Sequence, residues 1–367
     1  MKRISTLSTA AILLAGFSAS IHAADDVAAQ AKAYTAQATR TSLPWSGPTT
    51  GPAAQQGKSI VFVSADQRDS GPRGVSEAVQ QAAKTIGWTY RMIDGQGSIS
   101  GRSAALNQAI ALKPNGIVLG SVDAKEQAVL IQQAASSGIK IVGWHSSAKP
   151  GAAPQQGIFT NLTTDPLDVA KAAVMYVIAE SNGKAGVVIL TDSTYEVATA
   201  KSDAMAALVK QCAGCQLLKI EDTPLSDTPA RIPQLAATML QRYGAKWTWT
   251  LTINDMPFDF MAPTLQQAGY KGTGPLLGVS AGNGSESAFQ RIRNSDYQVA
   301  TVAEPVSQQG WQAVDELNRA FAGVPETSYT SPVHLVTKAN ISTEGGKNNV
   351  YDPDNGYRDM YRRIWKK

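Results

Sequence analysis

Cys212 and Cys215 are the residues whose type and spacing most suggest reactive chemistry. A C-x-x-C pair can be a redox centre, half of a zinc site or a local disulfide. A thioredoxin-type centre has its reactive cysteine at a helix start, whereas this pair ends a helical segment and precedes the strand-like run Gln216 to Ile220. A zinc site needs more ligands, and the three histidines of the chain lack metal-type spacing. We therefore expect a structural pair, with no metal and no cofactor.

The N-terminal residues indicate the compartment of the protein, and the compartment sets the redox state expected of the two cysteines. Lys2 and Arg3 precede the apolar run Ala10 to Phe17 and the small residues Ser18 to Ala24, which is typical of a cleaved secretory signal. The apolar run is shorter than the roughly 20 residues of a membrane span. Cleavage is predicted after Ala23 or one or two residues later. The mature protein should then be periplasmic, and in that oxidising compartment the two cysteines are expected to form a disulfide.

Charge and motif content exclude several function classes. The net charge of +4 falls to +2 without the signal, and no Lys/Arg-rich run remains, which argues against a nucleic-acid partner. Gly95-x-Gly97 and Gly282-Asn283-Gly284 lack the strand-to-helix context of phosphate-binding loops and are interpreted as turns. The sequence shows no nucleophile elbow and no ordered Ser/His/Asp set. We therefore do not expect an enzyme.

Apolar, β-branched runs alternate with helical spacing from Lys58 onward. The run Ser59 to Ser64 is followed by a helical pattern at Gly74 to Ile86. Further strands are predicted at Thr89 to Ile93, Gly116 to Gly120 and Ile139 to Trp144, with helices at Arg102 to Leu112 and Ala124 to Ser137. This alternation predicts a parallel sheet with helices on both faces.

A second series of the same kind begins near Thr160. Its predicted elements are Leu167 to Ser181, Ala185 to Leu190, Val197 to Gln211, Gln216 to Ile220, Ala230 to Tyr243, Lys246 to Ile253, Phe258 to Ala268, Pro275 to Val279 and Ser285 to Ile292. About 340 mature residues exceed what one hydrophobic core usually serves. The fold class predicted is α/β, with two doubly wound parallel-sheet lobes. Ligands of such sheets bind at the carboxyl ends of the strands.

Five short motifs in this order resemble the ribose/galactose-type periplasmic binding proteins, from about Lys58 to Phe321. They are Ala82 to Trp88 (AAKTIGW), Pro114 to Leu119 (PNGIVL), Ser137 to Val142 (SGIKIV), Ile253-Asn254-Asp255 and Gln298 to Ala303 (QVATVA). No single motif is specific, but their collinearity over more than 250 residues is. The resemblance implies the type I fold of that family, in which the two lobes are joined by a three-crossing hinge and close on a ligand.

The resemblance also implies how the chain is divided and what it contacts. Crossings are expected near 159–162, near Glu304 and after 325–331. The expected segments are a signal (1–23), an extension and linker (24–57), lobe 1 (58–160 with 305–331), lobe 2 (161–304) and a C-terminal segment packing back across the lobes (332–367). We expect a monomer that captures a small hydroxylated molecule for the membrane permease of an ABC importer. Alternatives are a sensing subunit for a histidine kinase or chemoreceptor, or a binder of a non-sugar ligand.

Ligand contacts from lobe 1 are predicted in two loops. Asp66 and Arg68 follow the first strand, in a loop where the family places ligand contacts, although solvated loop charge and helix capping are alternatives. Trp144 and His145 occupy positions where sugar-binding relatives carry Asp-Arg. A Trp can cover an apolar ligand face and a His adds one donor and one acceptor, but Trp144 is alternatively lobe core.

Lobe 2 and the hinge supply the other predicted contacts. Asp192 and Tyr195 follow a buried strand, and Asp192 is alternatively a helix cap. The resemblance implies that Asn254 is an amide that hydrogen-bonds the ligand. Ser280 stands where sugar-binding relatives have an Asp, so that carboxylate is missing. Glu304 stands where a Gln is common and could replace it, accepting ligand hydroxyls or pairing with a cation, although a hinge-surface role is the alternative.

Overall fold

A computed structural model describes residues 15–41 and 43–367, with side chains described from residue 27 onward. Most of the predicted signal therefore lies outside the described residues. The first helix, α1 (Ala15–Ala38), runs through the predicted cleavage point. Within the described residues, no helix has the length and apolar character needed to cross a membrane.

The first lobe is built on a six-stranded sheet with strand order β2-β1-β3-β4-β6-β5. Its elements are β1 (Ser59–Ser64), α2 (Ser70–Thr85), β2 (Thr89–Asp94), α3 (Ile99–Ala111), β3 (Gly116–Gly120), α4 (Ala128–Ser136), β4 (Lys140–Trp144), β5 (Gly151–Ala153) and β6 (Ile158–Leu162). All pairings are parallel except that of the short edge strand β5 with β6. The predicted parallel sheet is confirmed.

The second lobe is built on a sheet with strand order β12-β11-β10-β9-β7-β8. Its elements are α5 (Pro166–Glu180), β7 (Gly186–Thr191), α6 (Glu196–Gln211), β8 (Gln216–Asp222), α7 (Thr228–Tyr243), β9 (Trp249–Thr252), α8 (Met256–Gln267), β10 (Leu277–Ser280), α9 (Glu286–Asn294) and β11 (Gln298–Ala303). The chain then forms α10 (Val306–Ala322), β12 (His334–Thr337), α11 (Ile341–Glu344) and α12 (Tyr357–Trp365). The last strand, β12, is antiparallel to β11.

Helices cover both faces of each sheet because the strands are apolar on both sides. In β1, Ile60 and Phe62 pack in the cluster that contains α2 and α10, whereas Val61 and Val63 pack in the cluster that contains α3. Strand β7 alternates in the same way between two clusters. A parallel α/β sheet requires strands of this kind, which are buried on both faces.

The chain crosses between the lobes at 163–165, at Glu304-Pro305 and at 323–333, which confirms the three-crossing hinge. The segments before β1 and after β12 also pack against the lobes. Helix α1 packs on α5 of the second lobe, and the segment after it runs along α10 of the first lobe, where Arg319 donates to the Thr50 carbonyl (2.6 Å). Helix α12 returns to the first lobe, where Trp365 stacks on Trp311 with ring centres 5.5 Å apart.

Cys212 and Cys215 are joined by a disulfide with their Cα atoms 5.2 Å apart. The bridge lies between the end of α6 and the start of β8, at the opposite end of both elements from the loops that face the other lobe. Its position fits a local structural link.

Candidate functional site

The carboxyl ends of strands from both sheets face each other across a cleft, which contains two adjoining cavities. The inner cavity has a volume of about 50 Å³ and the outer one about 500 Å³. They share six lining residues, namely Asp66, Asp69, Leu225, Asn254, Met256 and Asn283. The inner cavity is also lined by Pro72, Ser121, His145, Tyr195, Val197, Ala198, Lys201 and Ile253. Both lobes therefore contribute to one site at the predicted edge of the sheets.

A buried cluster of charged groups lies beside the inner cavity at the hinge. Glu304 follows β11, and its side chain is fully buried. Its Oε2 lies 2.8 Å from His145 Nε2, and Gln309 donates to the same oxygen (3.3 Å). Its Oε1 lies 3.7 Å from Lys201 Nζ, beyond hydrogen-bond distance, and has no hydrogen-bond partner among the described residues. Glu304 lines neither cavity, so the prediction that it contacts a ligand is not supported by its position.

Electrostatics keep Glu304 ionised in this cluster. Burial by itself would raise the pKa of Glu304, but the charge and hydrogen bond of His145, followed by the charge of Lys201, lower it to about 2. Burial is also the main influence on Lys201 and lowers its pKa, while the charge of Glu304 opposes that change. Lys201 also donates to the Ala281 carbonyl (2.7 Å). Lys201 and Glu304 thus form a buried pair that joins α6 to the hinge.

Trp144 lines neither cavity, and its position agrees with the alternative that it belongs to the core of its lobe. Its side chain is fully buried in the core of the first lobe, among residues of α2 and α10. Its ring stacks on the His145 ring with centres 3.9 Å apart, and its Nε1 donates to Gln309 Oε1 (2.8 Å). Strand β4 ends at Trp144 with the side chain turned into the lobe, so the following residue, His145, faces the cleft. Trp144 supports the orientation of His145.

The loop after β1 places two carboxylates at the cavity and one guanidinium at its mouth. Asp66 accepts from the Arg68 backbone (2.9 Å) and side chain (2.7 Å), and it lines both cavities. Arg68 lines only the outer cavity, with 62% of its side chain exposed. Asp69, which was not predicted, caps α2 through Gly71 (3.1 Å) and lines both cavities. Burial chiefly raises the pKa of Asp69 to about 6.

Two predicted contacts of the second lobe are structural rather than cavity-lining. Asp192 accepts from the backbone of Thr194 (2.9 Å) in its own loop and of Leu225 (2.7 Å) in the segment after β8, so it joins these two segments. Ser280 is fully buried and bonds Thr301 (2.8 Å) and the carboxylate of Asp255. The hydrogen-bonding groups of both side chains are already paired with backbone groups or buried side chains. The prediction that they contact a ligand is therefore not supported by their position.

Asn254 and Tyr195 do line the inner cavity. Asn254 accepts from the Met256 backbone (3.3 Å) through Oδ1, which leaves its NH₂ group for a ligand. The side chain of the neighbouring Asp255 accepts from the backbone of Gly284 (2.8 Å) and Ser285 (2.9 Å). Those bonds hold the loop that carries Asn283 into the cleft.

Residues of the two lobes also bond directly along one edge of the cleft. Arg102, from α3, donates to the Tyr195 hydroxyl (3.0 Å). Asp123 accepts from the Glu196 backbone (2.8 Å), and Lys125 pairs with the Glu196 carboxylate (2.5 Å). These bonds form only when the lobes approach, so the structure is a closed form of the clamp.

Lys201 and Asn283 are site residues that the sequence interpretation missed. Helix α6 buries a face composed mainly of small and apolar residues, and Lys201 falls on that face between Val197 and Met205. A lysine on the buried face of a helix is itself a signal, because such a charge needs a partner. Asn283 follows β10 in a segment interpreted as a turn, and composition offers no comparable signal for it.

A family model described as the periplasmic binding protein domain matches residues 60–324. The chain belongs to this family. Members are binding proteins, which agrees with a cleft that joins two lobes around polar side chains. The family match ends before β12 and begins after α1 and the segment that follows it, so both terminal segments lie outside the matched region. No curated protein matches the sequence.

Solved structures show the same fold at low identity. A sugar ABC transporter protein from Yersinia enterocolitica subsp. enterocolitica 8081 is 17% identical with a TM-score of 0.71, covering 87% of this chain and 99% of that one. An ABC transporter solute binding protein from Agrobacterium vitis with bound allitol is 18% identical (TM-score 0.67; 78% and 97% covered). A XylFII–LytSN complex is also similar, at 14% identity (TM-score 0.68; 78% and 100% covered). These identities support the fold and leave the ligand open.

Proposed function

We propose that this chain captures a small hydroxylated molecule between its lobes and delivers it to an ABC importer. The observation that carries the proposal is a set of polar side chains from both lobes around one cavity. Asp66, Asp69, His145 and Lys201 line this cavity, and the NH₂ group of Asn254, which also lines it, is not used by the Met256 contact. A hydroxyl group both donates and accepts, so it matches such a mixed set.

Closure of the clamp is the proposed mechanism. Asp66, Asp69 and His145 come from the first lobe, whereas Lys201 and Asn254 come from the second, so a ligand completes its contacts only when the lobes meet. Such a ligand shifts the population toward the closed form by its differential affinity for that form. The titles of the similar structures, which name a sugar transporter protein and bound allitol, support a sugar or polyol.

The boundaries and location of the protein are part of the same proposal. Sheet membership supports lobes at 58–160 with 305–331 and at 161–304, although β12 adds 334–337 to the second sheet. Residues 1–23 are proposed to be a cleaved signal, and the mature protein is proposed to be a periplasmic monomer that acts without enzymatic activity. N-terminal sequencing of the exported protein, together with light scattering, tests these points.

A role as a ligand-sensing subunit is the second candidate, favoured by the similarity to the XylFII–LytSN complex. Importer and sensor use the same clamp and differ in the membrane partner. Reconstitution with the permease and ATPase of the adjacent genes tests the first role, since the ligand-loaded protein should stimulate ATP hydrolysis. Genes for a histidine kinase or chemoreceptor beside this one, with no permease, would favour the second.

A thermal-shift screen tests the binding function itself. Purified mature protein is heated with single sugars, polyols, small alcohols and aromatic acids. At least one hydroxylated compound should raise the melting temperature in a concentration-dependent manner, because a ligand that binds only the folded state stabilises it by mass action. A complete absence of shifts across the hydroxylated compounds, with intact folded protein, would overturn the proposal.

A further inference from the structure

We propose that the ligand is a short, neutral polyol or diol, smaller than a ring sugar and without an acidic group. This inference rests on the proposed function and narrows its substrate class. Its starting point is the inner cavity of about 50 Å³, which lies between the lobes beside Lys201 and His145. One water needs roughly 10–15 Å³ of such space, so the cavity holds the equivalent of about three to five waters.

The inner cavity is too small for a whole pyranose in this closed form, so a ring sugar would have to extend into the outer cavity of about 500 Å³. Bonded atoms lie closer together than waters do, so the space of about three to five waters suits a chain of about two to four carbons with its hydroxyls. A hexose held wholly within the inner cavity would need the lobes to stay further apart. That would break the contact of Arg102 with the Tyr195 hydroxyl (3.0 Å) and of Asp123 with the Glu196 backbone (2.8 Å).

The polar groups beside the cavity are arranged for hydroxyls. Glu304 Oε1 and Lys201 Nζ lie 3.7 Å apart without a hydrogen bond between them. Lys201 lines the inner cavity, so one ligand hydroxyl can accept from its ammonium, while the charge of Glu304 behind it favours the charged form of Lys201. A second hydroxyl on the next carbon can accept from the Asn254 NH₂ group or donate to Asp69, which line the same cavity. A vicinal diol satisfies this set with few atoms.

The apolar lining of the inner cavity is mainly aliphatic. It is formed by the side chains of Pro72, Val197, Ala198, Ile253 and Met256. Ring sugars are typically covered by a flat aromatic face, and Trp144, the obvious candidate, is buried behind His145. Tyr195 lines the cavity, but the Arg102 guanidinium lies 5.2 Å from its ring centre and its hydroxyl accepts from Arg102. An aliphatic lining fits a short carbon chain.

The charge balance disfavours an acid. Three carboxylates lie at the cavity or beside it, those of Asp66, Asp69 and Glu304. The cations that face them are Arg68, Lys201 and the charged form of His145, so no positive charge is in excess to attract an acid. A ligand carboxylate would add a fourth anion to a buried site, where like charges repel strongly. A neutral ligand avoids that repulsion.

Titration calorimetry with defined compounds tests the inference. The panel contains ethylene glycol, 1,2-propanediol and glycerol, the ring sugars ribose and glucose, and lactate as an acidic analogue. The protein is prepared without glycerol. We expect one of the short neutral compounds to bind at least tenfold more tightly than ribose, glucose or lactate. Tighter binding of a ring sugar or of lactate would overturn the inference while leaving the proposed function intact, whereas no binding of any hydroxylated compound would overturn both.

Two variants link the preference to the cavity. Ala198→Leu fills it and should weaken binding of the short compound at least tenfold, whereas the same change at exposed Ala207 on α6 should have no effect. Met256→Ala enlarges the cavity and should reduce the difference in affinity between ribose and the short compound. Thermal melts confirm that each variant folds. Unchanged affinity in folded Ala198→Leu would show that the ligand does not occupy this cavity.

Discussion

The buried pair of Glu304 and Lys201 gives the sharpest test of how the site is held. Glu304→Gln keeps the size of the side chain and its ability to hydrogen-bond His145, but it leaves the fully buried Lys201 without a carboxylate. The pKa of Glu304 is lowered from 4.5 to about 2, which at about 1.4 kcal/mol per pKa unit corresponds to about 3 kcal/mol of stability. Loss of one partner of a buried pair typically costs a similar amount, about 3–5 kcal/mol.

The sign of the pH dependence follows from the lowered pKa. The stability that Glu304 contributes is fully present above its ordinary pKa of 4.5 and is lost as the pH falls toward about 2. The difference in unfolding free energy between the wild-type protein and Glu304→Gln should therefore be constant from pH 6 to pH 8. It should shrink only in acid.

The assay is urea denaturation followed by tryptophan fluorescence, with exposed Glu77→Gln as the matched control. Glu304→Gln should lose about 3 kcal/mol and Glu77→Gln less than about 0.5 kcal/mol. The double variant Glu304→Gln with Lys201→Met removes both charges and should be more stable than the sum of the single losses predicts. Equal losses in Glu304→Gln and Glu77→Gln, or strict additivity in the double variant, would refute the buried pair.

Three further predictions concern ligand affinity, pH and redox state. Asn254→Ala should weaken binding of the ligand by about tenfold to a hundredfold, equivalent to about 1–3 kcal/mol, with little change in unfolding free energy; unchanged affinity by calorimetry would remove Asn254 from the site. Burial raises the pKa of Asp69 from 3.8 to about 6, so ionising Asp69 lowers the stability of the folded protein as the pH rises through that range. Asp69→Asn should therefore raise the unfolding free energy by about 1–3 kcal/mol at pH 7 and leave it unchanged below pH 4. Identical curves of unfolding free energy against pH for the two proteins would contradict this. Thiol labelling of unreduced, denatured exported protein should find no free thiol at Cys212 or Cys215, and replacing both with Ser should change ligand affinity less than about twofold; two labelled thiols would contradict the disulfide.

Much of the fold could be predicted because parallel strands carry a strong local signal. The predicted runs Ser59 to Ser64 and Gly116 to Gly120 coincide with β1 and β3, since both are apolar and bounded by polar residues. Strand β5 (Gly151–Ala153) was missed because three small residues among prolines and glycines show no alternation. Strand β12 (His334–Thr337) was missed because four residues form a strand there only by pairing with β11.

The site was predictable only in part, because sequence locates a strand end but not the direction of each side chain. His145 faces the cavity and the adjacent Trp144 faces the core, and the periodicity of β4 does not settle which is which after the strand ends. Asp192 and Ser280 stand at strand ends as expected, yet their side chains bond residues of neighbouring segments of the second lobe and not the cavity. Lys201 lies in the middle of a helix, so a search confined to strand ends missed it.

Small-angle X-ray scattering of the mature protein, free and saturated with the ligand found in the screen, tests clamp closure most directly. The bonds between Arg102 and Tyr195 and between Asp123 and Glu196 require closed lobes, and the ligand is proposed to stabilise that state. The account predicts a smaller radius of gyration with ligand and a ligand-bound curve that fits the closed structure. Saturating binding with an unchanged scattering curve, or a larger radius of gyration, would contradict capture by closure of the two lobes.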